Sequence, residues 1–280
     1  MSKEQLLLVL GGTRIGDAFH AIPFLKKTSE AYHVSWLHGV YASSAIKFLR
    51  EEVQDFEFEN IPMVEKRPLP LDLSDVTDFF TYFALHKPFL DLSAYSKIVP
   101  FEMGTSQQTF EQLVCPTTVN EVFVCEDIEF NRKTDSLVHL IDPPEKGSHI
   151  VVQPTTVSHW KSSDPLYQLG TKDFEGLPIY NVGGKGERPL VGENITVANG
   201  ASWRETAHLL VSCKFAVTLH SSVACLAYYL GVPFIYISFM PNLFPFHVWR
   251  DNITELLQPD LETLKRTIQD YIDHPREHTV

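Results

Sequence analysis

Three short stretches of this chain gather side chains able to hold an anion or move a proton. The first is Gly11-Gly12-Thr13-Arg14-Ile15-Gly16-Asp17, with His20 beyond it, directly after the apolar run Leu6 to Leu10. A turn from strand into helix leaves backbone N–H groups unbonded at the positive end of the helix dipole, which favours an anion. In that setting Asp17 stays ionised and can accept a proton, Arg14 supplies a cation, and His20 follows Asp17 by about one helical turn. Glycines at 11, 12 and 16 do not fit the G-x-G-x-x-G dinucleotide pattern. The same residues therefore also read as a plain tight turn, with Asp17 capping a helix.

The second stretch places Thr155, Thr156 and Lys161 after the apolar Ile150-Val151-Val152. Two hydroxyls and one cation suit phosphate oxygens, although a loop lysine is by default solvated. The third sets His220, Ser221 and Ser222 between Val217-Thr218-Leu219 and a helical run. Serines opening a helix offer hydroxyls and unpaired N–H groups to a diphosphate, and they also serve as ordinary N-caps. Between these two, Glu187 follows Gly183-Gly184-Lys185-Gly186 at the end of a strand. An acidic residue there can accept from ribose hydroxyls, or simply be a surface glutamate between Lys185 and Arg188.

The elements that must position these groups follow a βα rhythm. Strands are expected at Leu6 to Leu10, His33 to Leu37 and Ser96 to Val99, and helices at Ala18 to Tyr32, Ala42 to Glu51, Asp75 to Leu85 and Ser106 to Val114. Asp142-Pro-Pro-Glu-Lys-Gly147 is polar and turn-rich and reads as a linker. The rhythm then restarts, with strands at His149 to Gln153, Ile179 to Val182, Asn194 to Val197, Phe215 to Leu219 and Pro233 to Ile237. Helices alternate at Trp203 to Ser212, Ser222 to Leu230 and Asp260 to Ile272. Alternation of this kind implies parallel sheets with helices on both faces. Two runs imply two such α/β domains, 1–145 and 146–280.

Gly16-Asp17-Ala18-Phe19-His20-Ala21-Ile22-Pro23-Phe24-Leu25 resembles the Gly-Asp-x-x-His-x-x-Pro-x-Leu opening of the heptosyltransferase-like, family 9 glycosyltransferases. The resemblance continues in the family's order through Val151-Val152-Gln153-Pro154-Thr155-Thr156 with His159-Trp160-Lys161, then Gly183 to Glu187, then Glu205 to Leu210. It ends with Leu219-His220-Ser221-Ser222 and Leu230-Gly231-Val232-Pro233. It implies a GT-B fold, two Rossmann-like domains whose parallel sheets face across a cleft. It implies inverting, metal-independent transfer from a nucleoside-diphosphate sugar to an acceptor hydroxyl. Asp17 is then the general base; Arg14 and His20 lie on the acceptor side; Thr155, Thr156, Lys161, Glu187, His220, Ser221 and Ser222 bind the donor. Two departures stand out: His220 where the family commonly has an acidic residue, and Ser222 where a glycine is expected.

Composition narrows the partners. The formal net charge is −12, with 13 Lys and Arg against 22 Asp and Glu through Gly147 and 10 against 13 after it. No basic run exists to drive binding to a bare polyanion, which disfavours duplex nucleic acid. A phosphorylated lipid-linked acceptor would favour a dense basic cluster, and only Arg14, Lys26, Lys27, Lys66 and Arg67 are candidates. The acceptor is thus a hydroxyl of open class: a glycan, a lipid-linked sugar or a modified nucleic acid. The four cysteines, Cys115, Cys125, Cys213 and Cys225, lack metal-ligand spacing and read as buried free thiols. The twelve histidines form no zinc motif, so neither a metal site nor a cofactor is expected, only the sugar nucleotide as co-substrate. The apolar runs are strand-length and no signal segment opens the chain, so the expectation is a cytoplasmic protein without a transmembrane segment. Three other readings share these features: a same-fold glycosyltransferase acting on modified DNA or a small metabolite, a GT-B-like epimerase or pyruvyl-type transferase, and a non-catalytic sugar-nucleotide-binding protein.

Overall fold

The structure, a computed structural model, describes residues 3–10, 15–38, 42–62, 91–101, 122–125, 128–131, 137–156, 164–239, 246 and 250–279. The chain divides into two units, Met1–Ile141 and Asp142–Val280. The Gly11–Arg14 part of the first turn, Lys161, Cys115, Lys66, Arg67 and the helices expected near Asp75 and Ser106 lie outside the described residues.

In the first unit the sheet is built from β1 (Glu4–Leu10), β2 (Tyr32–His38), β3 (Phe58–Pro62) and β4 (Lys97–Phe101), in the order β3-β2-β1-β4 and all parallel. Leu6, Leu7 and Leu8 are fully buried, as expected of a parallel strand covered on both faces. Helices α1 (Ile15–His20), α2 (Ile22–Ala31) and α3 (Ser43–Glu52) pack Phe19, Phe24 and Phe48 into that core. The single helix expected over Ala18 to Tyr32 is in fact two. Pro23 has no N–H to continue the ladder and its ring crowds the carbonyl four residues back, so the chain breaks at Ala21 and restarts with Pro23 in the first turn of α2. A hairpin, β5 (Val122–Cys125) with β6 (Ile128–Asn131), is antiparallel.

The second unit carries six parallel strands: β7 (Ile150–Val152), β8 (Ile179–Asn181), β9 (Ile195–Val197), β10 (Ala216–Leu219), β11 (Phe234–Ser238) and β12 (Ile253–Leu257). Their order is β12-β11-β10-β7-β8-β9. Period-two alternation sends Ile150, Val152, Val217, Leu219, Ile235 and Ile237 into one core with Phe174, Leu264, Ile268 and Tyr271. The helices are α4 (Asp164–Gln168), α5 (Trp203–Ser212), α6 (Ser222–Tyr229) and α7 (Leu261–Asp273). Ser202 and Glu205 close a capping box at the start of α5, and Asp260 caps α7. Cys213 and Cys225 are buried free thiols. No described helix is long and apolar enough to cross a membrane.

Candidate functional site

The strand order of the second unit reverses between β7 and β10: from β7 the chain moves outward through β8 and β9, and from β10 it moves the other way through β11 and β12. Loops leaving the carboxyl ends of these two neighbours therefore diverge and open a crevice, the position where open parallel sheets bind nucleotides. Ala216 pairs with Val151 and Val217 with Val152, so Gln153–Thr156 and His220–Ser222 emerge side by side. The Gln153 N–H donates to the Val217 carbonyl at 2.8 Å.

Ser221 ties the two loops together. It is the N-cap of α6, its hydroxyl accepting from the N–H groups of Val223 at 3.2 Å and Ala224 at 3.4 Å, and it donates its own hydrogen to the side-chain oxygen of buried Gln153. Ser221 is thus both cap and cross-link. Ser222, the first residue of α6, is half-buried at the same turn. The turn offers an anion the positive end of the helix dipole with a hydroxyl beside it.

Thr155 and Thr156 are buried at the end of β7, where the Thr155 hydroxyl donates weakly to the Thr156 carbonyl at 3.4 Å. Tyr167 of α4 lies beside Thr155, and burial foremost pushes the Tyr167 phenol up from its ordinary pKa. Its hydroxyl donates to the Arg188 carbonyl at 2.9 Å, and the Arg188 guanidinium lies over its ring at 4.2 Å. Arg188 is thereby held on the tyrosine beside Thr155. The sequence reading gave it no role; a cation one residue from Glu187 was the only signal.

Beyond β8 the chain runs through Gly183 and Gly184 to a turn closed by the Glu187 N–H donating to the Gly184 carbonyl at 3.1 Å, with Gly186 at φ +85°. The Glu187 carboxylate lies against the two preceding glycines. A Cβ on Gly183 would stand 2.6 Å from Oε2, and one on Gly184 2.8 Å from Oε1. Fully buried Asn181 organises this loop, donating to the Val182 carbonyl at 3.1 Å and to Asn199 Oδ1 at 3.2 Å, while Asn199 donates to the Glu187 carbonyl at 3.0 Å. Glu187 is therefore set at the carboxyl end of the strand next to β7.

His220 is 9% exposed, and its Nδ1 hydrogen-bonds the hydroxyl of Tyr236, which is 0% exposed. Thr155, Thr156, His220, Ser221 and Ser222 are brought to one sheet edge, with Glu187 on the neighbouring strand end. In the first unit Asp17 lies in α1 and His20 ends that helix, buried. The side chain of Asp17, like Arg14 and Lys161, lies outside the described residues. Among the described residues no group of three or more His, Cys, Asp or Glu is placed to hold a metal ion.

No family profile and no curated protein matches this chain. Solved structures do. A glycosyl transferase family 9 protein from Veillonella parvula is similar over 99% of this chain and 91% of its own, with TM-score 0.57 and 11% identity. E. coli heptosyltransferase WaaC with ADP is similar over 95% of this chain and 99% of its own, with TM-score 0.54 and 14% identity. A protein described as a UDP-N-acetylglucosamine 2-epimerase from Listeria monocytogenes is similar over 98% and 89%, with TM-score 0.53 and 10% identity. With its two parallel-stranded α/β units, the chain has the fold of the GT-B glycosyltransferases.

Proposed function

We propose that the chain is a glycosyltransferase that moves a sugar from a nucleoside-diphosphate sugar to an acceptor hydroxyl. The observation that carries this reading is the junction of β7 and β10, where hydroxyls of Thr155, Thr156 and Ser222 and the first turn of α6 gather at the strand-order reversal. Residues 146–280 serve as the donor domain and 1–145 as the acceptor side, with Arg14 and His20 near the acceptor. Glu187 holds the ribose; Thr155, Thr156, Lys161, Ser221 and Ser222 take up the charge of the departing diphosphate; His220 faces its sugar or phosphates.

In the transfer step the acceptor oxygen bonds the anomeric carbon as the bond to the diphosphate breaks. Asp17 takes the proton released from that hydroxyl. Hydroxyls, N–H groups and Lys161 neutralise the leaving group without a metal, and attack opposite the diphosphate inverts the anomeric centre. The fold shared with an epimerase supports a second reading, isomerisation of the sugar nucleotide itself.

A panel of sugar nucleotides screened by thermal shift identifies the donor, because binding to the native state raises its stability by mass action. Mass spectrometry and proton NMR of the incubated mixture then separate the readings. An acceptor heavier by one glycosyl unit supports transfer, and a donor of unchanged mass whose sugar proton NMR couplings have changed supports epimerisation. Failure of every sugar nucleotide to bind overturns both.

A further inference from the structure

Tyr236 sits in the middle of β11 on the face opposite the Ile235 and Ile237 core, among Phe234 and Phe246, with ring centroids 6.4 and 5.4 Å from its own. A phenol there needs a hydrogen-bond partner. Its hydroxyl meets Nδ1 of His220 and also bonds buried Ser238, while Glu255 is its register partner on β12. Three polar groups, Ser238, Tyr236 and His220, thus run from the buried strand to the β10–α6 turn.

A phenol carries one hydrogen, and the unprotonated imidazole nitrogen is the best neutral acceptor in this trio. Ser238 can donate into the phenol oxygen, leaving the phenol hydrogen for Nδ1. Burial, with Cys225 and Glu255 adding to it, pushes the Tyr236 pKa upward, so the hydrogen stays on the phenol. An imidazole that accepts at Nδ1 keeps its own hydrogen on Nε2.

We infer that Tyr236 is a positioning residue: by donating to Nδ1 of His220 it fixes that ring as the Nε2–H tautomer, making it a hydrogen-bond donor at the β10–α6 turn. A carboxylate at this position offers only acceptors and pairs with sugar hydroxyls. A fixed N–H donor instead selects an acceptor oxygen, and the ligand class that supplies one at this turn is the diphosphate or a carbonyl-bearing sugar. The inference rests on the donor site lying where the proposed function puts it.

Long-range proton–nitrogen correlation on protein labelled with 15N-histidine tests it near neutral pH, with the His220 signals assigned by their loss in His220→Gln. The expected pattern is an unprotonated, pyridine-type nitrogen at Nδ1 and a protonated, pyrrole-type one at Nε2. Tyr236→Phe removes the donor and is expected to let the tautomers mix. The reverse tautomer in the wild type, a doubly protonated ring, or an unchanged pattern in Tyr236→Phe overturns the inference. Calorimetry with ADP- and UDP-sugars is expected to show about three- to tenfold weaker binding by Tyr236→Phe, the size of one ordinary hydrogen bond. Equal affinities would overturn the positioning role. Absence of binding by the wild type would count against the donor-site reading alone, because the nitrogen spectrum reads the tautomer without a ligand.

Discussion

The hydroxyl of Ser221 donates to the side-chain oxygen of Gln153, 68 residues away in the chain, while accepting from two N–H groups of α6. One side chain therefore closes a helix and joins the loops after β7 and β10. Ser221→Ala leaves two helix N–H groups uncapped and a buried amide oxygen without its donor. The expected loss is about 1–2 kcal/mol in urea unfolding. Added to Thr155→Ala, it is expected to weaken sugar-nucleotide binding by about 1–3 kcal/mol in calorimetry. Unchanged affinity in the double variant would move the donor site elsewhere.

Gly184→Ala puts a Cβ at 2.8 Å from a Glu187 carboxylate oxygen, and the end of a flexible side chain gives way before backbone does. The variant is expected to fold with near wild-type stability and, if Glu187 holds the donor ribose as proposed, to lose that contact as the carboxylate is displaced. The expected cost is about 1–3 kcal/mol of donor affinity. Tight binding by Gly184→Ala would remove Glu187 from the site.

Asp17→Asn keeps the shape of the side chain and removes its basicity. If Asp17 takes the acceptor proton, turnover falls by roughly 100-fold or more with folding and donor binding close to unchanged. The sequence reading of Asp17 as a helix cap does not hold, because α1 begins at Ile15 and Asp17 lies within its first turn. If it acts there only as a charge near the helix N-terminus, Asn costs about 0.3–1 kcal/mol of stability and turnover survives. Steady-state kinetics of the two proteins decide between these outcomes.

His149 donates from Nε2 to the Leu209 carbonyl at 2.9 Å, and His278 to the Cys213 carbonyl at 3.0 Å, so two imidazoles serve the carbonyl end of α5. Burial foremost lowers the pKa of each from 6.5. With the folded values depressed, the unfolded chain takes up protons first as pH falls. Their contribution is present above the unfolded value and is lost as pH falls through the folded ones. Urea midpoints followed from about pH 7.5 to 5 are expected to decline more steeply for the wild type than for a His149→Gln, His278→Gln protein. Parallel curves would show that neither histidine is linked to folding.

Much of this was legible because local chemistry and tertiary structure agree. The start of α5 at Trp203 follows from Ser202 and Glu205 meeting as a capping box. The strand, turn and helix around His220 follow from an apolar run ending at a serine cap. Other features depend on partners that no local pattern reveals. Ile253–Leu257 mixes Thr and Glu with apolar residues and shows neither period; its pairing with β11 makes it a strand. Pro23 was in plain view, but the apolar residues around it masked the break it imposes between α1 and α2. In the site, Gln153 stood inside a recognised stretch without a role, since nothing near it points to Ser221. Tyr236 read as one more core residue of Val232 to Ile237, although a hydroxyl in a fully buried strand was itself a sign of a polar partner.

The parallel pairing of β7 with β10 also governs how the second unit is assembled in time. Between them the chain must lay down β8, β9 and α5, so the pairing closes a long loop and carries the entropy cost of a non-local contact. Until that closure the residues after the two strands are far apart and no anion-binding crevice exists. A ligand spanning both loops can recognise only chains that have completed the closure. Contacts made after the folding barrier raise the barrier to leaving the native state and leave the rate of reaching it nearly untouched. If the proposed donor site is occupied by a sugar nucleotide, that ligand acts on this unit as a brake on unfolding.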